Sequence, residues 1–402
     1  MSFRRSQVAI AALFCFLGFQ YGTWVSRVPY LKSHLDLSTV EVGLLLLAPG
    51  IGATVSFPLV ARLMKQLGSR LLCITSAIAL LVILAALSVA PNFAVAIVVL
   101  FLDGILIACL NVAMNAQGAD LETRFERNTM AKLHAVFSGG TFGAALLASA
   151  VTSFNGKLPI HFLIAGVLLV AMLAVSWTGL LPASSPSPAD TAGATDATPS
   201  AKRRWAIPSM VVLGLGIAMI FSELTEGAMN DWSALYLRDV THAATSVTPL
   251  GIATVSAMMV LARLFADRWR AKWGDKRVVL AGTVLATVGL GGALLAGGWL
   301  PALIGFACVG LGMAAVAPCI YVAAAKHGPD ALALVAATGT AGLLVGPPII
   351  GFVAGASSLV WGMTVVVVAI VLVFISVTRI QLGAASPAEE SAAEVAETEV
   401  AV

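Results

Sequence analysis

The chain has 402 residues, of which 59% are hydrophobic and only 11% charged, with a net charge of +3. A soluble domain carries about 25% charged residues, so this composition excludes a water-soluble core and points to a polytopic membrane protein. The small net charge gives no argument for a nucleic-acid partner, and no GxxxxGK[ST] motif supplies a nucleotide-driven engine.

A spanning helix needs about 20 mostly apolar residues. Twelve such segments are predicted, at 8–29, 40–63, 70–90, 93–118, 131–154, 159–182, 206–237, 246–267, 276–299, 300–326, 330–355 and 357–380. MSFRRSQ before the first resembles a signal peptide, but that run is long, holds polar residues and lacks an A-x-A cleavage site, so it reads as a retained span. With a cytoplasmic N-terminus, nineteen of the 23 Lys and Arg fall inside and four (Arg27, Lys32, Lys157, Arg238) outside. This bias sets the orientation, and both termini are then cytoplasmic.

Four regions follow: a six-helix half at 1–182, a Pro/Ser/Ala/Thr linker at 183–205, a second six-helix half at 206–381 and an acidic, disordered tail at 382–402. Cys15, Cys73, Cys109, Cys308 and Cys319 all lie in apolar runs and read as buried thiols. No metal or other cofactor is expected.

Polar residues inside spans require a reason. Span one presents Gln20 and Trp24 at i, i+4, an amide and an indole on one face, with Arg27 near its outer end. Trp24 reads either as a solute contact or as an interfacial anchor, and Arg27 either snorkels or pairs with Asp231 as a gate. Span four, PNFAVAIVVLFLDGILIACLNVAMNAQG, holds Asp103 near its middle and Asn111 and Asn115 at i, i+4. The asparagines suit hydroxyl-bearing solutes or simple bonds between helices, worth on average ~0.6 kcal/mol. Asp103 reads as a proton carrier or as the partner of a cation such as Arg27. Lys132 and His134 open span five; a gate with Glu122 or Glu126 competes with a plain solvated loop.

Span seven carries FSELTEGAMNDW, with Glu223, Glu226, Asn230, Asp231 and Trp232. A carboxylate at the centre of a span costs about 2.5–3.5 kcal/mol. Spacing i, i+3 puts both glutamates on one face, where two like charges cannot cheaply both ionise. Such a pair suits proton coupling or solute contact, and an inter-helix ion pair without a transport role is the plainer alternative. Glycines recur at Gly139-x-x-x-Gly143 and Gly342-x-x-x-Gly346, the latter before Pro347 and Pro348, a spacing that permits close packing and bending.

The two halves repeat. ARLMKQLGSR at 61–70 matches ARLFADRWRAKWGDKR at 262–277; aligning Gly68 with Gly274 gives an offset of 206 that sets Gln20 on Glu226 and Trp24 on Asn230. On these features the chain resembles the major facilitator superfamily (MFS) over essentially its whole length. The basic loops after spans two and eight are similar to that superfamily's signature: the second keeps Arg263, Asp267, Arg268 and Gly274, and the first keeps Arg62, Gly68 and Arg70 but lacks the Asp. GTWVSRVP, NVAMNAQGADLE and HAVFSGGTFG resemble the bacterial YbjJ-type branch, near the fucose-permease-like sugar:proton symporters.

The resemblance implies an all-α membrane fold of two pseudo-symmetric six-helix bundles, in the inner membrane, monomeric, moving a small-molecule solute by alternating access. It assigns solute contacts to Gln20, Trp24, Asn111, Asn115, Glu223, Glu226, Asn230 and Trp232, and proton coupling to Asp103 and Glu226. Gating falls to Arg27, Asp231, Arg62, Arg70, Arg263, Asp267 and Arg268. Proton-coupled symport of a sugar-like solute leads. Proton-driven export of lipophilic compounds is the alternative, a solute sensor another, and an enzyme is disfavoured because the external loops are short and acid-poor.

Overall fold

A computed structural model describes residues 2–127, 129–182 and 209–380, without the side chains of Ala131, Asp267 and Pro329. The expected linker and tail lie outside the described residues. Fourteen helices follow in order: α1 (Phe3–Val25), α2 (Val28–His34), α3 (Thr39–Val55), α4 (Phe57–Ser88), α5 (Phe93–Phe125), α6 (Met130–Phe154) and α7 (Leu158–Trp177), then α8 (Met210–Asp239), α9 (Leu250–Trp273), α10 (Asp275–Ala296), α11 (Trp299–Met313), α12 (Val316–Lys326), α13 (Pro329–Ala356) and α14 (Leu359–Arg379).

Ten helical stretches are long and apolar enough to cross a membrane, and Thr39–Val55 and Leu250–Ala266 are shorter apolar helices. Together they account for the twelve predicted spans, with corrected boundaries. The second span is two pieces, α3 and the start of α4, jointed at Ser56, with Pro58 beside the restart of the helix. The tenth is α11 followed by α12, jointed at Ala314 and Ala315. Side chains fix several starts. Ser38 and Glu41 form a reciprocal capping box on α3. Asn92 accepts from the Val95 N–H to begin α5, and Ser209 from the Val212 N–H to begin α8.

The two halves pack alike. Within the first, α1 lies against α6 and α7, α5 against α3 and α4, and α4 against α7. The second repeats each pair: α8 with α13 and α14, α11 with α9 and α10, and α10 with α14. Between halves, α3 meets α13 and α6 meets α9, which is the same pair of positions exchanged. Gly68 and Gly274, the residues that set the repeat offset, both turn the chain with positive φ, 71° and 80°. That conformation costs an L side chain energy and glycine nothing.

Close helix contacts only partly follow the predicted glycine spacing. A Cβ at Gly342 would lie 2.2 Å from the Ile220 carbonyl oxygen, so α13 rests directly on α8. In the other half the contact belongs to Gly140, whose Cβ would lie 2.4 Å from the Cys15 carbonyl oxygen. Gly139 meets nothing within 4 Å and Gly143 only the Phe19 ring at 3.9 Å, which corrects the expectation for that motif. Helix phase decides this, because the pattern gives a face only to within one residue. Gly342→Leu is therefore expected to destabilise the protein by about 1–3 kcal/mol through overpacking, and Gly139→Ala to be neutral. Thermal unfolding of the two variants side by side measures the difference.

Candidate functional site

Glu223 and Glu226 stand near the middle of α8, one turn apart. Glu226 Oε2 lies 3.5 Å from Arg263 Nη2 on α9, with side-chain exposures of 31% and 30%. Arg263 Nη1 also donates to Ser138 Oγ on α6, at 3.0 Å. One guanidinium thus joins a carboxylate of its own half to a hydroxyl of the other. Glu223 is half-buried; its Cγ is 3.3 Å from where a Cβ on Gly339 of α13 would stand, and it lies within electrostatic reach of Glu226, Arg263 and Tyr321. No ion pair to Glu223 occurs among the described residues. Arg263 was predicted as part of a cytoplasmic loop latch. It sits inside the helix, because α9 runs on to Trp273 and the turn falls at Gly274.

Asp103 on α5 is fully buried, and Gln20 Nε2 donates to its Oδ1 at 2.8 Å. The partner is an amide, so the alternative of an Asp103–Arg27 pair is corrected. The face predicted to offer Gln20 and Trp24 to a solute is closed in this conformation: Gln20 is turned to Asp103, and Trp24 is 1% exposed. Gln20 Oε1, Trp24 Nε1 and Asp103 Oδ2 are buried without partners, a small set of unused donors and acceptors around one carboxyl. Trp232 is fully buried too and lines nothing open here. Asn230 is half-buried, with its Oδ1 unpartnered. Asn111 is exposed and Asn115 half-buried; the Asn115 amide donates to the Asn111 Oδ1 at 2.8 Å. These two stay available on the α5 face.

One end of the bundle is tied shut, the end that the charge bias assigns to the outside. Tyr21 Oη donates to Asp231 Oδ1 at 2.8 Å, from α1 to α8. Neither reading of Arg27 holds: the Tyr21 phenol meets Asp231 in its place, and Arg27 is buried and turned toward the Gly156 carbonyl in the α6–α7 connection. Beyond it, Lys32 Nζ lies 2.5 Å from Asp239 Oδ2, and Arg238 Nε 2.5 Å from Asp239 Oδ1. Arg238 Nη1 donates to the Pro29 carbonyl and, at 2.7 Å, to Ser33 Oγ. Ser149 Oγ donates to the Ser246 carbonyl at 2.5 Å, from α6 to the α8–α9 connection. All of these but the Arg238–Asp239 contact, which lies within α8, join one half to the other. Lys32, Arg238 and Asp239 were not singled out from the sequence. Charged residues beside a span end are common, and only their pairing across 207 positions marks these.

The opposite end holds the basic turns. Arg62 and Arg268 are exposed, with no ion pair among the described residues. Arg70 Nη2 reaches the Trp177 carbonyl at 3.4 Å. Asp267, predicted as a latch acid, has its side chain outside the described residues. The acid seen bridging this turn is Asp275, which accepts from Arg270 Nε and Nη2 at 2.9 and 3.2 Å across Gly274. Glu122 accepts from the N–H groups of Thr129 and Met130 and so caps α6. His134 sets its ring edge on Phe14, 5.2 Å between centres. Helix capping thus replaces the gate considered for Glu122. A separate groove between α4 and α7, lined by Leu81, Leu84, Phe162 and Val167, is apolar and holds none of these residues.

Two repeated six-helix bundles with polar groups at their meeting faces define a membrane transporter, and the comparisons name its family. The Major Facilitator Superfamily profile matches residues 8–271 and again 232–401, so the chain belongs to that superfamily. It is 32% identical to an uncharacterized transporter, y4wD, of Sinorhizobium fredii, covering 87% of this chain and 91% of that one. An uncharacterized MFS-type transporter of Yersinia pestis is 31% identical, covering 88% and 90%. The membrane protein MosC of Rhizobium meliloti is 29% identical, covering 87% and 84%. Among solved structures, the nucleoside transporter NupG superposes with a TM-score of 0.68 at 14% identity, covering 94% of this chain and 99% of that one. That likeness is of fold.

The ties at the closed end generate a test. Val25, fully buried on α1, lies one turn beyond Tyr21 toward Lys32. In a Val25→Cys protein whose five native cysteines are removed, labelling by a membrane-impermeant maleimide is expected to be slow. Adding Lys32→Ala and Arg238→Ala should speed it several-fold. An unchanged rate means that these residues do not hold the end closed.

Proposed function

We propose that the chain is a secondary active transporter that takes up a small polar solute together with protons, the halves 1–182 and 206–381 rocking about the linker 183–205. The observation that carries this reading is the Glu226–Arg263–Ser138 chain, about a third exposed at its ion pair and shared between the halves. A charged Glu226 holds Arg263. Protonation weakens that hold and leaves the guanidinium to Ser138, which it already contacts, and to solute, so that one proton changes the grip between halves. A proton can act in this way only if it changes the relative energies of two arrangements. The closed end described above corresponds to an inward-facing state in a bacterial inner membrane with both termini cytoplasmic.

Solute contacts fall to Asn111, Asn115, Glu223, Glu226 and Asn230 in this state. Gln20 and Trp24 would join when the closed end opens, and Asp103 behind Gln20 is the second proton-coupling group. Amides and carboxylates together suit a hydroxyl-rich solute. The resemblance to the YbjJ-type branch near the fucose-permease-like symporters supports a sugar-like one, and the fold shared with the nucleoside transporter NupG is compatible with a ribosyl one. Gating belongs to Asp231 with Tyr21 at one end, and to Arg62, Arg70, Asp267 and Arg268 at the other. The monomer holds the whole path.

Proton-driven export of a lipophilic cation is favoured by one observation, the half-buried carboxylate of Glu223 without an ion-pair partner among the described residues and within electrostatic reach of the Tyr321 hydroxyl. A thermal-shift screen of the purified protein with monosaccharides, nucleosides and lipophilic cations separates the two. A ligand at about a hundred times its dissociation constant adds about 2.7 kcal/mol. A shift with saccharides or nucleosides, lost in Asn115→Ala, fits symport; a shift confined to cations, lost in Glu223→Gln, fits export. In reconstituted vesicles, Glu226→Gln should abolish uptake driven by an inward proton gradient while preserving solute exchange. Wild-type uptake at every pH in that variant removes Glu226 as a carrier.

A further inference from the structure

Arg27 follows the Ser26 C-cap of α1 and stands at the N-cap position of α2, yet its side chain is turned inward and only 3% exposed. Nη2 donates to the Gly156 carbonyl in the α6–α7 connection, and the guanidinium stands 5.0 Å from the centre of the Tyr30 ring. Nε and Nη1 are buried with no partner. No carboxylate pairs with Arg27 among the described residues. Asp103 is engaged with Gln20, Asp231 with Tyr21, Asp239 with Lys32 and Arg238, and Glu41 with Ser38, while Asp36 is exposed on the surface. His161, in the first turn of α7, is fully buried with both ring nitrogens unpartnered, within electrostatic reach of Arg27. The N-terminal end of α7 adds its own partial positive charge.

Buried charges in proteins are paired, because an uncompensated one costs several kcal/mol. Unused N–H donors beside a helix N-terminus, around a cation without a carboxylate, form a setting for an anion. A water would satisfy the donors and leave the charge. We propose that Arg27 and His161 hold a small inorganic anion of chloride size between the α1–α2 elbow and the α6–α7 connection. The site lies inside the first half, apart from the Glu226–Arg263 pair and independent of which solute is carried. Its anion pins the elbow from which Pro29, Lys32 and Ser33 reach across to α8, so occupancy favours the closed end.

Thermal unfolding of the purified full-length protein in sodium chloride and in sodium gluconate, at equal ionic strength, tests this. Chloride is expected to raise the midpoint by several degrees with saturation, and bromide to replace it. The rise should vanish in Arg27→Gln and shrink in His161→Phe, which keeps the cation and removes the ring N–H donor. Equal midpoints in chloride and gluconate overturn the proposal, as does a chloride shift that both variants retain. Should Arg27→Gln fail to fold, His161→Phe and the anomalous signal of bromide in crystals of the wild-type protein decide. Bromide against Arg27 supports the site, and its absence there at saturating bromide refutes it.

Discussion

The ion pair between Glu226 and Arg263 joins α8 to α9, and through Ser138 it reaches the other half of the molecule. A carboxylate in the middle of a span is tolerated only with a counter-charge or access to water, and Glu226 has both, being paired and about a third exposed. Much of the arrangement follows from that requirement. The second half must place the arginine of α9 one helix away, and the first half must supply a hydroxyl at the same depth. Neither half completes the set alone.

The other polar residues obey the same constraint with different partners. Asp103 takes the Gln20 amide and Asp231 the Tyr21 hydroxyl, while Asp239 takes two cations where the helix ends. The two halves meet along α3 with α13, where Gly43 and Gly351 bring the backbones together, and along α6 with α9, and they add short polar ties at one end and the Arg263 contacts nearer the middle. Individually such ties are weak, with exposed ion pairs contributing about 0–1 kcal/mol each.

Much of the fold was legible in the sequence, because hydrophobic length and Lys/Arg bias act on single segments. The repeat was legible through Gly68 and Gly274, since only glycine carries that turn without cost, and both adopt it. The joints at Ser56 and at Ala314–Ala315 were not, because the apolar pattern runs through them unbroken. For the site, the sequence marked Gln20, Asp103 and Glu226 as polar groups inside spans, and the structure gives each a partner. It could not choose those partners. Arg27 for Asp231 was the obvious choice of charge, and a tyrosine hydroxyl fills the place. Arg263 was read with the basic turn after span eight because its neighbours in sequence are basic, and its partners Glu226 and Ser138 could not be read from that. Lys32 and Asp239 stayed unread, because their meaning lies in a contact between chain positions 207 apart.

The account stands on the halves exchanging which end is closed around the Glu226–Arg263 pair. Spin labels on cysteines at Asn92 and Trp299 report one end, and labels at Arg124 and Lys326 the other, in the protein freed of its own cysteines. Pulsed electron-paramagnetic-resonance distances in vesicles, recorded across pH in wild-type and Glu226→Gln protein, test it most directly. The account predicts two distances for each pair, their populations moving in opposite senses with pH, and a fixed population in the Glu226→Gln protein. A single pH-independent distance at each end would contradict it, and would favour a receptor that binds solute without carrying it.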